Sequence, residues 1–154
     1  MELYAIISEV WKIDGGVSFG VVPKTIWEAS FEADENNLVA IANRLLLIKT
    51  DNRLILINTG FGSKRGHRYY KYKYIQQRNN LSEAIQQVGF SAETVTDVIF
   101  THLHDDHCGG AVEYNEKGEA ALVFPNAMHW YSEQQYKWAK HPNMREAASF
   151  FPDN

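Results

Sequence analysis

The fold is decided by residues 97–110, DVIFTHLHDDHCGG. They continue an apolar, β-branched run that begins at residue 95 and predicts a buried strand. Three histidines and two aspartates then fall within six residues, and two glycines close the stretch. An amphipathic helix over residues 80–89, with Asn80 as its N-cap, is predicted before the strand. The order of helix, strand and polar loop is typical of an α/β protein, in which sites lie beyond the C-terminal ends of strands.

The spacing of the histidines predicts a metal site. In an extended segment the side chains of His102 and His104 project to the same side, so their imidazole nitrogens can bind one cation at about 2.0 to 2.1 Å. If the chain turns after the strand, Asp106 and His107 can face a second cation. Two divalent ions about 3.5 to 4 Å apart can share a water, lower its pKa toward neutrality and hold it against an ester, lactone or phosphoester. A lone histidine is better explained by packing, but donors at these fixed offsets favour metal binding.

Other predicted elements lie on both sides of the histidines. Residues 38–50 and 53–58 form two apolar runs, and the Asp-Asn pair between them predicts a tight hairpin turn. Residues 17–22 predict a short strand after a turn. The glycine pair at 109–110 is predicted to permit a close backbone approach, where a side chain would collide with metal or substrate.

Four stretches of the sequence resemble one protein family. THLHDDHCGG, residues 101–110, resembles the His-x-His-x-Asp-His signature of the metallo-β-lactamase-fold hydrolases. LILINTG, residues 54–60, is similar to the strand and turn that usually reads Ile-Asp-Thr-Gly in that family. IDGGVSFGVVPKTIW (13–27) and FPNAMHWYSEQQYKWA (124–139) resemble the branch that includes lactonases and methyl-parathion hydrolases. The resemblance covers nearly the whole chain.

The resemblance implies an α/β fold of the metallo-β-lactamase type. In this family an α/β/β/α sandwich carries a two-metal site on one edge between the sheets. Members are longer than 154 residues, and a later histidine, a bridging aspartate and a C-terminal histidine complete their site. We therefore expect residues 1–154 to form one domain that covers mainly the N-terminal αβ half and is truncated at its C-terminus.

The resemblance also assigns the metal ligands by position. His102 and His104 would bind the first metal, and Asp106 and His107 the second. Asp105 occupies the variable position before the ligand aspartate and is not expected to bind. Asn58 stands where the family usually has an aspartate near the metals. An amide there can keep a hydrogen bond but loses the charge, so metal affinity or ligand orientation could suffer.

The implied activity is that of a metal-dependent hydrolase. A metal-bound hydroxide would cleave a lactone, ester or phosphotriester, with two divalent ions as cofactors and zinc as the first expectation. Asp106 is the expected catalytic residue, because it positions metal and nucleophile. Two alternatives stay open. One is a metal-dependent ribonuclease of the same fold, and the other is a catalytically incomplete fragment that folds and binds metal weakly.

Composition limits the partners of the chain. The 154 residues carry a formal net charge of −4, and no apolar run approaches the length of a membrane span. Together with the single cysteine, Cys108, this predicts a cytoplasmic protein without a membrane partner. Six basic residues and four tyrosines lie between Lys64 and Arg78. That mixture can hold single-stranded nucleic acid, but a surface segment with packed tyrosines is the preferred interpretation, so no nucleic-acid partner is expected.

The expected partners are a small ester or lactone and further protein. A half-sandwich would leave a large apolar sheet face, which a soluble monomer rarely exposes. We therefore expect a homodimer or another assembly to cover that face.

Overall fold

The computed structural model describes residues 1–154, which form eight strands and six short α-helices. The strands are β1 (Glu2–Asp14), β2 (Leu38–Lys49), β3 (Leu54–Ile57), β4 (Gln77–Arg78), β5 (Asp97–Ile99), β6 (Val112–Tyr114), β7 (Ala120–Leu122) and β8 (Met128–Trp130). The helices are α1 (Gly15–Phe19), α2 (Lys24–Trp27), α3 (His67–Tyr70), α4 (Leu81–Gln87), α5 (Asp105–Cys108) and α6 (Glu133–Lys140). This is the mixed α/β class predicted from the sequence.

Six strands form one sheet in the order β4-β1-β2-β3-β5-β8, while β6 and β7 form a separate hairpin. The predicted hairpin is confirmed: β2 and β3 pair antiparallel, and the amide of Thr50 donates to the carbonyl of Arg53 across the turn. β5 pairs parallel with both β3 and β8. The C-terminal ends of these three parallel strands therefore lie at the same edge of the sheet.

The chain divides into two compact units. The first comprises residues 1–8, 43–64 and 79–154, and the second comprises residues 9–42 and 65–78.

In the first unit, one face of the sheet carries the core. Leu47, Leu56 and Val98 are in register across β2, β3 and β5, and all three are fully buried. They belong to a cluster that includes Leu81 and Ile85 of α4, the helix predicted over residues 80–89. The side chain of Asn80 caps that helix by accepting from the amide of Glu83 at 3.1 Å, as predicted.

The opposite face of the same strands is apolar but open. Leu46, Ile99 and Trp130 lie on this face and are 38%, 37% and 49% exposed. Alternation along a strand sends successive side chains to opposite faces, so this apolar row follows directly from the buried one. The homodimer or other assembly predicted to cover such a face stays a prediction.

In the second unit, the prediction of a strand over residues 17–22 is wrong, because α1 covers Gly15–Phe19. Asp14 instead caps α1, and its carboxylate accepts from the amides of Gly16 and Val17. The ring of Phe19 stacks on Trp27 with centroids 4.6 Å apart, and Trp27 is buried. The turn residues at 14–16 therefore begin a helix, because the Asp14 carboxylate satisfies amides that a strand would have paired elsewhere.

None of the six α-helices has the length and apolar character that crossing a bilayer requires.

Candidate metal centre

The histidine cluster lies where the parallel strand β5 ends. After Ile99 the chain runs without regular structure to His104, whose extended backbone (φ −69°, ψ 153°) precedes the first turn of α5. Asp106 and His107 lie within that helix, and His102 lies in the irregular segment before it. The turn that the sequence analysis required after the strand is therefore the start of α5.

The structure brings all four predicted ligands together. Donor atoms of His102, His104 and Asp106 all lie within 4.8 Å of one another. The ring centroids of His102 are 4.6 Å from His104 and 3.9 Å from His107. His107 completes the cluster, since its Nε2 is 3.3 Å from Oδ2 of Asp106. Each of the four side chains is half-buried and so remains accessible from one side.

This donor set fits a divalent cation such as zinc. Imidazole nitrogen and carboxylate oxygen are ligands that zinc prefers, and bonds of about 2.0 to 2.2 Å place the donors of one site at most about 4.4 Å apart. The donor atoms of His102 and His104, which lie within 4.8 Å of each other, need only a small side-chain movement to reach that distance. Asp105, which was not expected to bind, is buried outside this donor group.

The electrostatics around His102 favour its neutral imidazole. Burial lowers the pKa of His102, nearby His107 and His104 lower it further, and Asp106 opposes them. A metal ligand must be unprotonated, so a lowered pKa extends the binding form of His102 to more acidic solution.

Cys108 is a packed thiol. Its side chain is buried, and its Sγ donates to the carbonyl of Leu103 at 3.4 Å. Burial raises the pKa of the Cys108 thiol to about 11, so the thiolate that would bind metal is not formed near neutrality.

Two backbone segments interlock behind the cluster. The amide of Thr59 donates to the carbonyl of His107 at 2.7 Å, and the amide of Gly110 donates to the carbonyl of Gly60 at 3.0 Å. A Cβ on Gly110 would collide with the carbonyl oxygen of Thr59, and one on Gly109 would collide with that of Phe61. The predicted close approach is present, but the collision partner is this backbone and not metal or substrate.

Side chains from distant positions hold the same loop. Nδ2 of Asn43 donates to the carbonyl of Asp106 at 3.3 Å. Nζ of Lys64 donates to the carbonyls of Gly109 and Val112. Sequence reasoning missed these roles, because neither residue belongs to a local motif and both contacts span more than 40 residues of chain.

The side-chain amide of Asn58 makes a hydrogen bond, as expected for an amide in place of the family's aspartate. Its backbone is left-handed, with φ 62°, and its amide donates to the carbonyl of Ile99 at 2.9 Å. Its side-chain Oδ1 accepts from the backbone amide of Thr101 at 3.0 Å and lies 3.2 Å from the Thr101 hydroxyl. Thr101 was not singled out from the sequence, although it directly precedes the first histidine.

An apolar cavity of about 550 Å³ adjoins the cluster. Phe150 lines the cavity, and its ring centroid is 4.9 Å from that of His104. His129 also lines it, with Nδ1 donating to the carbonyl of Ala127 at 3.1 Å, and it lies outside the histidine cluster. The remaining lining is mostly aromatic and aliphatic, including Phe100, Leu103, Leu122 and Tyr136.

The basic segment between residues 65 and 78 lies in the second unit. The guanidinium of Arg78 lies 3.9 Å from the ring centroid of Tyr70, and the ammonium of Lys73 lies 5.3 Å from that of Tyr69. Burial raises the pKa of Tyr70, in keeping with a packed ring. Tyr72 and Tyr74 remain exposed.

Comparison with known proteins gives a family match and a set of similar folds. The family model of the metallo-beta-lactamase superfamily matches residues 44–131. A probable metallo-hydrolase of Mycobacterium tuberculosis and one of Mycobacterium bovis are each 25% identical in an alignment over 124 residues, and the match covers 70% of this chain and 40% of theirs. The chain thus spans about two fifths of the length of these curated relatives.

Two solved structures are similar to most of the chain. A probable metal-dependent hydrolase from Staphylococcus aureus superposes with a TM-score of 0.91 at 24% identity, covering 99% of this chain and 54% of that one. AidC, a dizinc quorum-quenching lactonase in complex with a product, superposes with a TM-score of 0.70 at 28% identity. That match covers 94% of this chain and 46% of AidC.

Proposed function

Because the chain belongs to the metallo-beta-lactamase superfamily, we propose that it acts as a metal-dependent hydrolase of lactones, esters or phosphotriesters. The observation that carries this proposal is the convergence of three imidazoles and one carboxylate beyond the end of β5. Sites of α/β proteins are expected at that edge of the sheet. The dizinc lactonase among the similar structures supports a lactone as substrate and zinc as metal.

The four clustered side chains are the proposed ligands. His102 and His104 would hold one divalent cation, and Asp106 with His107 would hold a second. A bound divalent cation supplies a Lewis acid that lowers the pKa of water and polarises an acyl or phosphoryl oxygen. The protein's contribution is to hold the four donors in place, because the loop that carries them is bonded from behind by Asn43, Thr59 and Lys64.

Asp106 is the proposed catalytic residue. It contributes the only carboxylate among the four donors, and its Oδ2 is within 3.3 Å of His107. A carboxylate is an acceptor on both oxygens, so one oxygen can bind a cation while the other orients a neighbouring imidazole or water. Replacing Asp106 therefore removes both a ligand and an orienting acceptor.

The apolar cavity is the proposed site for the apolar part of the substrate. It shares Phe150 with the edge of the histidine cluster and is large enough for a medium-length acyl chain or an aromatic ring. Ala139 of α6 also lines it, so a large side chain at this position would fill it.

The test combines metal content with turnover. The full chain is loaded with zinc and assayed against a lactone, a phosphotriester and p-nitrophenyl esters of increasing chain length. We expect the wild-type protein to bind zinc stoichiometrically and to hydrolyse at least one of these substrates. Asp106→Ala should abolish hydrolysis without unfolding the protein. Ala139→Trp should lower kcat/KM for the long esters more than for the acetate. Zinc binding without any turnover would overturn the hydrolase proposal in favour of a metal-binding domain.

A further inference from the structure

A chain of hydrogen bonds leads from Asn58 to the first histidine of the cluster. Oδ1 of Asn58 lies 3.2 Å from Oγ1 of Thr101, and the same Oγ1 lies 3.1 Å from Nδ1 of His102. Oδ1 of Asn58 also accepts from the backbone amide of Thr101 at 3.0 Å. The three side chains therefore form a continuous path that ends on a proposed metal ligand.

The donor and acceptor roles along this path follow from the backbone amide. A backbone N–H can only donate, so the Asn58 atom that faces it must be the amide oxygen. The Thr101 hydroxyl then meets an acceptor at Asn58, and donating its one proton there avoids an unfavourable contact between two oxygen lone pairs. With that proton committed, Oγ1 can only accept from His102, so the His102 proton resides on Nδ1.

We propose that Thr101 and Asn58 are positioning residues that keep the proton of His102 on Nδ1 and so present the Nε2 lone pair to a metal ion. The proposal rests on the proposed function, because it assigns a role to two residues that support a proposed ligand. Fixing the tautomer of a metal-binding histidine through its other nitrogen is a general way to orient the ring and raise affinity.

The conformation of Asn58 explains how a neutral residue serves here. Its φ of 62° lies in the left-handed region, which asparagine, aspartate and glycine adopt most readily. Asparagine supplies the acceptor oxygen without a formal charge. An aspartate at position 58 would supply the same acceptor oxygen. A glycine would keep the left-handed backbone but remove the acceptor oxygen. These two variants therefore separate the effect of the hydrogen bond from the effect of the backbone conformation.

The tautomer of His102 can be measured in the metal-free protein. Two-bond ¹H–¹⁵N correlation spectra distinguish protonated Nδ1 from protonated Nε2 at a pH where the ring is neutral. We expect Nδ1–H for the wild type and for Thr101→Ser and Asn58→Asp. Thr101→Val and Asn58→Gly should give a mixture of both forms. Thr101 is exposed, so its replacement leaves the core intact.

Zinc affinity, measured by competition with a chromophoric chelator, is the second readout. Thr101→Val should weaken binding about 10-fold, and Thr101→Ser should restore it. Thr25→Val, at an exposed position on α2, is the matched control and should change neither readout.

The outcomes separate this inference from the proposed function. If Thr101→Val keeps Nδ1–H, or loses it without loss of zinc affinity, the positioning role is overturned. If no variant and no wild-type protein binds zinc, the positioning role and the proposed metal site both fail. If zinc binds as expected but nothing is hydrolysed, the hydrolase proposal fails while the positioning role stands.

Discussion

Two regions of the chain concentrate chemically reactive side chains, and the structure treats them differently. Between residues 101 and 110 the imidazoles and the carboxylate converge on one another, and their ring centroids approach to 3.9 Å. Between residues 65 and 78 the cationic groups lie over tyrosine rings. The first region follows a buried parallel strand, whereas the second contains a four-residue helix, a short 3₁₀ turn and the two-residue strand β4. Fixed spacing after a strand therefore predicted a cluster of side chains better than local composition did.

The largest difference between the regions should appear on adding a methyl group to a glycine. Gly110→Ala forces a Cβ against the carbonyl of Thr59, and we expect it to lower the free energy of unfolding by about 3 kcal/mol. Gly66→Ala is the matched change in the other region, with φ −76° and open space at its Cβ, and should be nearly neutral. Urea denaturation measures the free energy of unfolding of both variants. Equal losses in the two variants would contradict the expected difference between the two regions.

Zinc affinity should distinguish the histidines of the two regions. His104→Ala removes a proposed ligand and should weaken zinc binding more than about 100-fold, since it removes a direct bond and not only a supporting one. His67→Ala, at an exposed position on α3, should leave the affinity unchanged. Competition titration compares the two variants with the wild type. A loss in His67→Ala would place that histidine in the site.

The pH dependence of stability should have opposite signs in the two regions. The lowered pKa of His102 means that the unfolded chain binds its proton first, so this group makes the metal-free protein less stable as the pH falls below about 6.5. The raised pKa of Tyr70 means that the unfolded chain loses its proton first, so this group reduces stability as the pH rises above about 10.

Denaturation midpoints measured across pH show both losses of stability. His102→Asn should reduce only the loss of stability at acid pH, and Tyr70→Phe should reduce only the loss at alkaline pH. If either variant changed the loss at the other end of the pH range, the assignment of that loss to a single residue would be incorrect.

The smallest effect is expected from the cation over Tyr70. Arg78→Gln removes a guanidinium 3.9 Å from the ring and should cost about 0.5 to 1 kcal/mol of unfolding free energy. Zinc affinity should not change, because this pair does not contact the proposed ligands. Arg78→Lys, which keeps the charge, should recover part of the loss in thermal unfolding.

The sequence predicted elements whose causes are local. The turn at residues 51–52, the Asn80 cap and the convergence of His102 with His104 each depend on neighbours within a few residues. It failed at residues 17–22, where an apolar run could be strand or helix and the Asp14 cap decided the outcome. This failure shows that a short apolar run needs its flanking residues to be interpreted.

The supporting contacts of the site could not be predicted in the same way. Asn43 and Lys64 reach the loop after separations of 63 and 45 residues, and nothing in their neighbourhood marks them. Thr101 directly precedes the first histidine in the sequence. Its proposed role could be recognised only in the structure, where the side chain of Asn58 lies against the Thr101 hydroxyl. The proposed ligands could be recognised in the sequence because they are spaced along one segment, whereas the residues that support them come from several separate segments.

The interlocked glycine backbone restricts how loops can be exchanged in protein engineering. Residues 59–62 and 107–110 approach too closely for either segment to accept a bulkier counterpart alone. A graft of the histidine segment into another scaffold would therefore have to bring the companion turn with it, although the two are nearly 50 residues apart. Directed evolution that randomises only the histidine segment would recover few folded clones, whereas libraries that vary both segments jointly would reach new loop shapes.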